Sequence, residues 1–279
     1  MFKSQGVEVK IKVGLVQFSP KSYNIKNNIK ESLSLAKRAA KKGAKLIVLP
    51  ELFDSGYCVE DKDNEFAINF SEDSYTIKKL KEFCKENDVY IVASSIQKEK
   101  TKLYDSAYIV SKNGILDTYK KTHLWGDENK RFERGDSFNI FEINFGNASV
   151  KVGIGICYEI GFGEIAREFA LKGAKILIYP SAFGKQRLYV WDLASRARAL
   201  ENGAFVLACN RSGKEVSKLN GKILSFAGHS RIINPKGEII KEIKDKSGVC
   251  VVNLDLNEVD LQRENLPYLR DLNLTLFRS

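Results

Sequence analysis

Two segments about half a chain apart repeat one pattern of residues. Residues 40–53 read AKKGAKLIVLPELF, and residues 170–183 read ALKGAKILIYPSAF. In both, the end of a helix leads into Gly-Ala-Lys, a short apolar strand, a proline and a phenylalanine. A strand and its helix precede each copy, with VGLV at residues 13–16 and VGIG at residues 152–155. Unless two Ala- and Lys-rich segments are alike by chance, this predicts two β-α-β units forming two similar sheets in one domain, with helices on the outer faces.

Cys157 stands where a predicted strand of the second half turns into a helix. The run VKVGIGI at residues 150–156 is typical of a short buried strand, and a helical pattern begins at Glu164. A thiol at the C-terminal end of such a strand is exposed, and nearby backbone N–H groups favour thiolate over thiol. Cys157 is therefore a candidate nucleophile; the alternative is a buried structural cysteine, the ordinary role of a free thiol.

Glu51 follows the strand-ending proline of the first copy, where the second copy has Ser181. Reactive groups of α/β folds gather at the C-terminal ends of strands, so we expect Glu51 to lie near Cys157. A carboxylate beside a thiol in a closed pocket has a raised pKa and can act as a base. The alternative, a surface carboxylate, fits poorly with the apolar residues on both sides of Glu51.

A lysine pair, Lys120 and Lys121, follows the strand of a predicted hairpin whose turn is Asn113-Gly114. Because side chains alternate along a strand, one lysine points inward and the other faces solvent. The inward one would supply positive charge for a tetrahedral oxyanion. The spacing alone does not choose between them.

The composition argues against several classes of protein. With 43% apolar and 29% charged residues the chain is typical of a globular protein, and no apolar run approaches the roughly 20 residues of a membrane span. The charge of +10 is spread along the chain, so we expect solvated lysines rather than nucleic-acid binding. The 5 scattered cysteines and 2 histidines argue against disulfides and zinc. No signal peptide is recognised, so we expect a cytoplasmic protein.

A series of motifs, in order along nearly the whole chain, resembles those of the nitrilase superfamily, the carbon–nitrogen hydrolases. LPELF at residues 49–53 resembles the family's glutamate motif, YKKTHL at 119–124 its lysine motif, and GIGICYE at 153–159 its nucleophile motif. Later segments, at residues 191–202, 226–230 and 234–237, are similar to its last helix signature and closing strands.

The resemblance implies a role for several residues. Glu51 is the base, Cys157 the nucleophile, and the second lysine of the pair, Lys121, the catalytic cation. Many members carry another glutamate seven residues after that lysine, which here is Glu128; it would orient the substrate or Lys121. The backbone N–H of Tyr158 would join Lys121 in binding the oxyanion. One departure is Gly163, where relatives often have proline.

The resemblance also implies an architecture and a reaction. The fold would be a four-layer α-β-β-α sandwich without metal or cofactor, assembled as a homodimer or a larger homo-oligomer, and with neither nucleic acid nor membrane as a partner. The reaction would be hydrolysis of a small non-peptide amide to a carboxylic acid and ammonia through a cysteine thioester. The alternatives are an N-carbamoyl amide hydrolase or a nitrilase using the same residues, and a non-catalytic binding protein of the same fold.

Two further expectations concern the pocket and the chain's organisation. Tyr57, Phe183 and Trp191 are candidate pocket walls, although aromatic residues serve equally in core packing. Residues 1–256 are expected to form a single hydrolase domain. Residues 257–279 are expected to form a polar tail that reaches a subunit interface.

Overall fold

The computed structural model of the protein describes residues 9–146, 148–273 and 275. Its strands are β1 (Lys10–Gln17), β2 (Leu46–Val48), β3 (Tyr90–Glu99), β4 (Lys102–Ser111), β5 (Gly114–Lys120), β6 (Ile140–Phe145), β7 (Ala148–Ile154), β8 (Ile176–Ser181), β9 (Phe205–Asn210), β10 (Lys214–Val216), β11 (Ile223–Ser225), β12 (Ser230–Ile233), β13 (Ile239–Ile243) and β14 (Gly248–Asp255). Its α-helices are α1 (Ile25–Lys41), α2 (Asp63–Phe66), α3 (Tyr75–Asn87), α4 (Gly163–Leu171), α5 (Leu188–Asn202) and α6 (Asn257–Asn265). Short 3-10 turns cover Gly126–Lys130, Cys157–Gly161 and Lys185–Arg187.

The two sheets have the same topology, as the repeated pattern predicts. The first runs β14-β1-β2-β3-β4-β5 and the second β6-β7-β8-β9-β12-β13. In each, three parallel strands lie in the middle and antiparallel strands flank them. The register also repeats: Val13 pairs with Leu46, and Val152 with Ile176, at equivalent places of the repeated segments. The predicted sandwich of two similar halves is confirmed.

Helices cover the outer faces because their sequences are amphipathic. In α1 the buried residues include Ile29, Leu35, Ala36 and Ala39, at the three- and four-residue spacing of one helix face. Together with α3 they form an apolar cluster against the first sheet. Helices α4 and α5 cover the second sheet, and Gly153 permits a close approach there, since an added Cβ would lie 2.5 Å from Cγ of Phe169.

The sheets pack face to face, which explains why their strands are apolar on both sides. In β2, Leu46 and Val48 belong to the core between the sheets, whereas Ile47 packs under the outer helices. The cross-sheet contacts include those of β1 with β9 and β12 and those of β3 with β8. This packing brings the strand ends of the two halves together at one end of the sandwich.

The segment expected as a polar tail begins with α6. Val259 of this helix is fully buried, and Arg263 donates a 2.6 Å hydrogen bond from Nη2 to the carbonyl of Ala174. Residues 1–8 of the expected domain and residues 274 and 276–279 of the expected tail lie outside the described residues. Within the described ranges, no helix has both the length and the hydrophobicity needed to cross a bilayer.

Candidate active site

Glu51 lies just beyond β2, on a sharp turn at the end of the sandwich. The next residue, Leu52, has a φ of 47°, and its N–H donates to Oγ of Ser94 at 3.2 Å. This turn directs the Glu51 side chain inward, where it is 0% exposed. Its Oε2 accepts a 2.7 Å hydrogen bond from the N–H of Ala182, at the end of β8 in the other sheet.

Lys121 is the member of the lysine pair that points inward. It follows β5 and is fully buried, whereas Lys120 pairs with Glu99 on the surface. The Lys121 Nζ lies 2.6 Å from Oε1 of Glu51, 2.9 Å from Oε2 of Glu128 and 3.2 Å from Oδ2 of Asp105. The alternation of side chains along the strand left the choice between Lys120 and Lys121 open, and in the structure Lys121 is the inward one.

Cys157 begins the 3-10 turn that follows β7. Its φ of 48° is unusual for a residue other than glycine and marks a sharp bend of the chain after the strand. Tyr158 is next in this turn, and the first N–H groups of such a turn have no partner within it. The sequence predicted a sharp turn after this strand and before a helix, and the backbone has such a turn at Cys157.

The charged groups of the site shift one another's pKa values. Burial raises the pKa of Glu51 well above its usual range, although the Lys121 ammonium opposes the shift. The expectation of an exposed thiol that favours thiolate is wrong, because Cys157 is only 7% exposed. Burial raises the pKa of the Cys157 thiol, with Glu51 adding to the effect, so the resting thiol keeps its proton. Burial alone would lower the pKa of Lys121, but Glu128, Glu51 and Asp105 outweigh it and raise the pKa, so the lysine remains charged.

Glu128 is held by donors on three sides. Its Oε1 accepts a 2.5 Å hydrogen bond from the Tyr57 hydroxyl, and its Oε2 accepts the N–H of Trp125 at 2.7 Å. Both oxygens also approach Lys121 Nζ, at 3.0 and 2.9 Å. These contacts connect Glu128 to the lysine.

Glu159 connects the segment that follows Lys121 with the turn that begins at Cys157. The sequence left this role open. Its Oε1 accepts hydrogen bonds from the Thr122 N–H at 2.8 Å, the Thr122 hydroxyl at 2.6 Å and the Tyr119 hydroxyl at 2.8 Å. Its Oε2 accepts the N–H of Ile156, immediately before Cys157, at 2.7 Å. One buried carboxylate therefore positions both segments.

A cavity of about 170 Å³ ends at Cys157. Of the predicted walls, Tyr57 and Phe183 line it. Trp191 does not: it is fully buried behind Phe183, with ring centroids 5.3 Å apart, and its Nε1 donates to the carbonyl of His229 at 2.8 Å. That prediction is wrong because Trp191 faces the core of the second half.

Trp125 and Arg187 are among the cavity residues that the sequence did not predict. The Arg187 guanidinium lies 4.5 Å from the centre of the Trp125 ring. Another cavity, of about 730 Å³, lies at the opposite end of the strands beside Lys45 and Tyr90, and it contains none of the predicted site residues. We place the candidate site at the smaller cavity, because Cys157 lines it.

Asp105 is a further site residue that the sequence did not predict. Glu51, Asp105 and Glu128 offer carboxylate oxygens within 4.8 Å of one another, an arrangement that can hold a metal ion. Here the Lys121 ammonium lies among the three carboxylates, within 3.2 Å of each. The sequence did offer a signal, since Asp105 is a charged residue inside a predicted apolar strand.

Comparisons with known proteins show which family the chain resembles. The carbon-nitrogen hydrolase family profile matches residues 12–264. A nitrilase of Pyrococcus abyssi is 35% identical over 277 residues, covering 93% of this chain and 100% of that protein. An omega-amidase of Xenopus tropicalis is 31% identical over 280 residues, covering 96% and 97% of the two chains. Among solved structures, the amidase of Nesterenkonia sp. AN1 superposes with a TM-score of 0.82 and 25% identity, covering 96% of this chain and 98% of that one. A variant of that amidase shows acrylamide added at its active-site cysteine.

Proposed function

This chain belongs to the carbon–nitrogen hydrolase family and hydrolyses an amide through a cysteine, and we propose that Cys157 is that cysteine and that the substrate is a small non-peptide amide. The observation that supports the proposal is that a thiol and a buried base lie together at one cavity. Cys157 stands at the end of the cavity. Glu51 and Lys121 stand beside it, joined by a 2.6 Å ion pair.

In the first half of the proposed reaction, the Cys157 sulfur attacks the amide carbon. Glu51 takes up the thiol proton, a transfer favoured by the raised pKa of its carboxyl, for which burial is the main cause. The carbonyl oxygen becomes an oxyanion, which the Lys121 ammonium and the Tyr158 N–H stabilise. Glu51 then returns the proton to the departing nitrogen, so ammonia leaves and a thioester remains on Cys157.

In the second half, Glu51 removes a proton from water, which attacks the thioester carbon. The carbon–sulfur bond breaks, the acid is released, and the sulfur regains the proton from Glu51. Glu128 contributes by holding Lys121, through the contacts of 2.9 and 3.0 Å to its Nζ. No other co-reactant is required.

Replacing Cys157 with alanine tests the nucleophile. We expect ammonia release from every amide to vanish in Cys157→Ala. Cys84→Ala is a matched control, because the Cys84 thiol is also buried but donates to the carbonyl of Val110 at 3.4 Å, away from the cavity. It should retain full activity. In Glu51→Gln, intact-protein mass spectrometry should detect an acyl adduct on Cys157 if the thioester forms and hydrolyses slowly. Undiminished release by Cys157→Ala would overturn the assignment.

The cavity indicates which amides enter. Its volume of about 170 Å³ and its lining by Phe183, Val190 and Tyr158 suit a short aliphatic acyl chain. Arg187 lies at the same cavity and is suited to a carboxylate at the far end of such a chain. We therefore include ω-amides of dicarboxylic acids among the proposed substrates; the name of the Xenopus tropicalis relative, an omega-amidase, supports the ω-amide.

A substrate panel with and without the far carboxylate tests this preference. In Arg187→Gln we expect KM for an ω-amide acid to rise about 10- to 100-fold. KM for a simple aliphatic amide of the same length should stay unchanged, which makes that substrate the internal control. Equal effects on both substrates would contradict a carboxylate contact. Carbamoyl compounds and nitriles belong in the same panel, because they would use the same residues; faster turnover of either would replace the amide assignment.

We propose that the chain forms a homodimer through α5. Tyr189 and Leu193 are 68% and 65% exposed, and with Leu200 they form an apolar stripe at helical spacing. Light scattering should show a dimer for the native chain and a monomer for Leu193→Asp. A native chain that is monomeric at high concentration would contradict the proposal.

We also propose a cytoplasmic location. All five cysteines are buried and unpaired, as suits a reducing compartment. Cell fractionation tests it, and recovery of the protein outside the cytoplasm would overturn it.

A further inference from the structure

Asp105 is a buried carboxylate in direct contact with the catalytic lysine. It lies on β4 and is fully buried. Its Oδ1 accepts a 3.0 Å hydrogen bond from the Ser94 hydroxyl, and its Oδ2 lies 3.2 Å from Lys121 Nζ. The Ser94 oxygen in turn accepts the N–H of Leu52 at 3.2 Å. Asp105 is thus connected both to Lys121 and to the turn that carries Glu51.

The local charges do not balance if every group is ionised. Three carboxylates, from Glu51, Asp105 and Glu128, surround the single ammonium of Lys121, and all four side chains are at most 1% exposed. An excess of two negative charges in a buried site is costly, so the cluster retains a proton. Two carboxylates that share a site behave this way in general: one gives up its proton readily and the other does not.

Glu51 is the carboxyl of the cluster that binds this proton. Burial raises its pKa well above the usual range, and the charge of Asp105 adds to that shift. Carboxylate oxygens of Glu51, Asp105 and Glu128 lie within 4.8 Å of one another, so Asp105 is close enough to act on Glu51 in this way. Glu51 accepts hydrogen bonds from the Ala182 N–H and Lys121, and Asp105 accepts them from Ser94 and Lys121.

We propose that Asp105 is a positioning residue of the reaction, which helps to hold Lys121 and, through its negative charge beside Glu51, determines the pH range in which Glu51 accepts the thiol proton. The proposal rests on the proposed roles of Glu51 and Cys157. The titratable and charged groups around Glu51 are those of Lys121, Asp105, Glu128, Cys157, Tyr57 and, farther away, Arg211.

The direction of the effect follows from these charges. Burial is the main cause of the raised pKa of Glu51, Lys121 lowers it, and Asp105 raises it again. Glu51 can accept the thiol proton only when ionised, so activity rises as the pH passes through its pKa. Removing the Asp105 charge lowers that pKa and moves this acidic limb of the profile to lower pH.

The test is the pH profile of kcat/KM for one amide in the native chain and in Asp105→Asn. We expect the acidic limb to move to lower pH by about one unit or more. Asp105→Glu, which restores a carboxylate, should bring the limb back toward its native position. Asp54→Asn is the matched control, because the Asp54 carboxylate is buried too but contacts Thr76 and Ser55, not Lys121. Its limb should not move. An unmoved limb in a folded Asp105→Asn, with kcat reduced equally at every pH, would refute the proposal.

A second measurement requires no Asp105 variant. Infrared difference spectra of the native chain against Glu51→Gln, recorded above the ordinary pKa range of carboxyl groups, should show a protonated carboxyl band that only the native chain has. Absence of the band would refute the retained proton on Glu51. The proposed function fails separately, through an active Cys157→Ala, whereas the infrared result does not depend on turnover.

Discussion

The buried pair of Arg211 and Glu215 allows a sharp prediction about stability. The Glu215 Oε2 accepts the backbone N–H groups of Tyr57 and Cys58 at 2.9 and 2.7 Å, and its Oε1 pairs with the Arg211 guanidinium. Arg211 is 0% exposed and Glu215 5%. Burial lowers the pKa of Arg211 and Glu215 opposes that shift, so the guanidinium depends on this carboxylate for its counterion.

Glu215→Ala removes the counterion of Arg211 together with the acceptor of two backbone N–H groups. Leaving a buried charge without its partner costs about 3–5 kcal/mol, and each unpaired N–H costs about 1–3 kcal/mol unless water reaches it. Water will enter part of the vacated space, so we expect the free energy of unfolding to fall by about 4–6 kcal/mol. Because Glu215 holds the segment of Tyr57, which lines the cavity, KM should also rise in the molecules that remain folded.

Urea unfolding followed by circular dichroism measures the loss, with the m-value checked for two-state behaviour. Glu82→Ala is the control, since it breaks the Lys79–Glu82 ion pair on the surface of α3 and should not change stability measurably. A loss below about 1 kcal/mol in Glu215→Ala would refute the reasoning, because it would mean that Arg211 and both N–H groups are solvated without the carboxylate.

Three further predictions concern buried groups. Gly153→Ala should destabilise the fold by about 1–3 kcal/mol in urea unfolding, because the new Cβ would lie 2.5 Å from Phe169. Glu159→Gln should cost about 2–3 kcal/mol in the same assay, since an amide nitrogen in place of Oε2 would face the Ile156 N–H. Burial raises the pKa of Asp54 from 3.8 to about 6, so the native state binds this proton more tightly than the unfolded chain. Stability relative to Asp54→Asn should therefore fall by up to about 3 kcal/mol as pH rises from about 4 to about 7, and a pH-independent difference would contradict this.

Most of the fold could be predicted because the residues that specify each half are neighbours in the sequence. The repeated segments show the strand, helix and Gly-Ala-Lys junction of each half in neighbouring residues, and they recur in the structure with the same register. The position of β14 beside β1 could not be read in this way. That antiparallel pairing joins Lys10 to Asp255, nearly the whole chain apart, and no local pattern specifies such a partner.

The site was predictable where a residue stands at a strand end and not where it acts through a distant partner. Glu51 and Cys157 follow recognisable strands, and both were predicted to meet. Asp105 and Glu159 were not assigned, because their importance lies in contacts with Lys121 and Thr122 that are 16 and 37 residues away. Trp191 shows the opposite error: an aromatic residue in a helix signature predicts a pocket wall, but its ring fills the core behind Phe183.

The site exists only when both sheets are packed together. Glu51 and Lys121 come from the first sheet, whereas Cys157 and Ala182 come from the second. The 2.7 Å hydrogen bond from the Ala182 N–H to Glu51 crosses between the sheets, so the second half positions the base as well as supplying the thiol. A change that loosens the sheet-to-sheet core should therefore reduce activity before it unfolds the chain, because a displacement of about 1 Å between base and thiol is enough to slow the chemistry strongly.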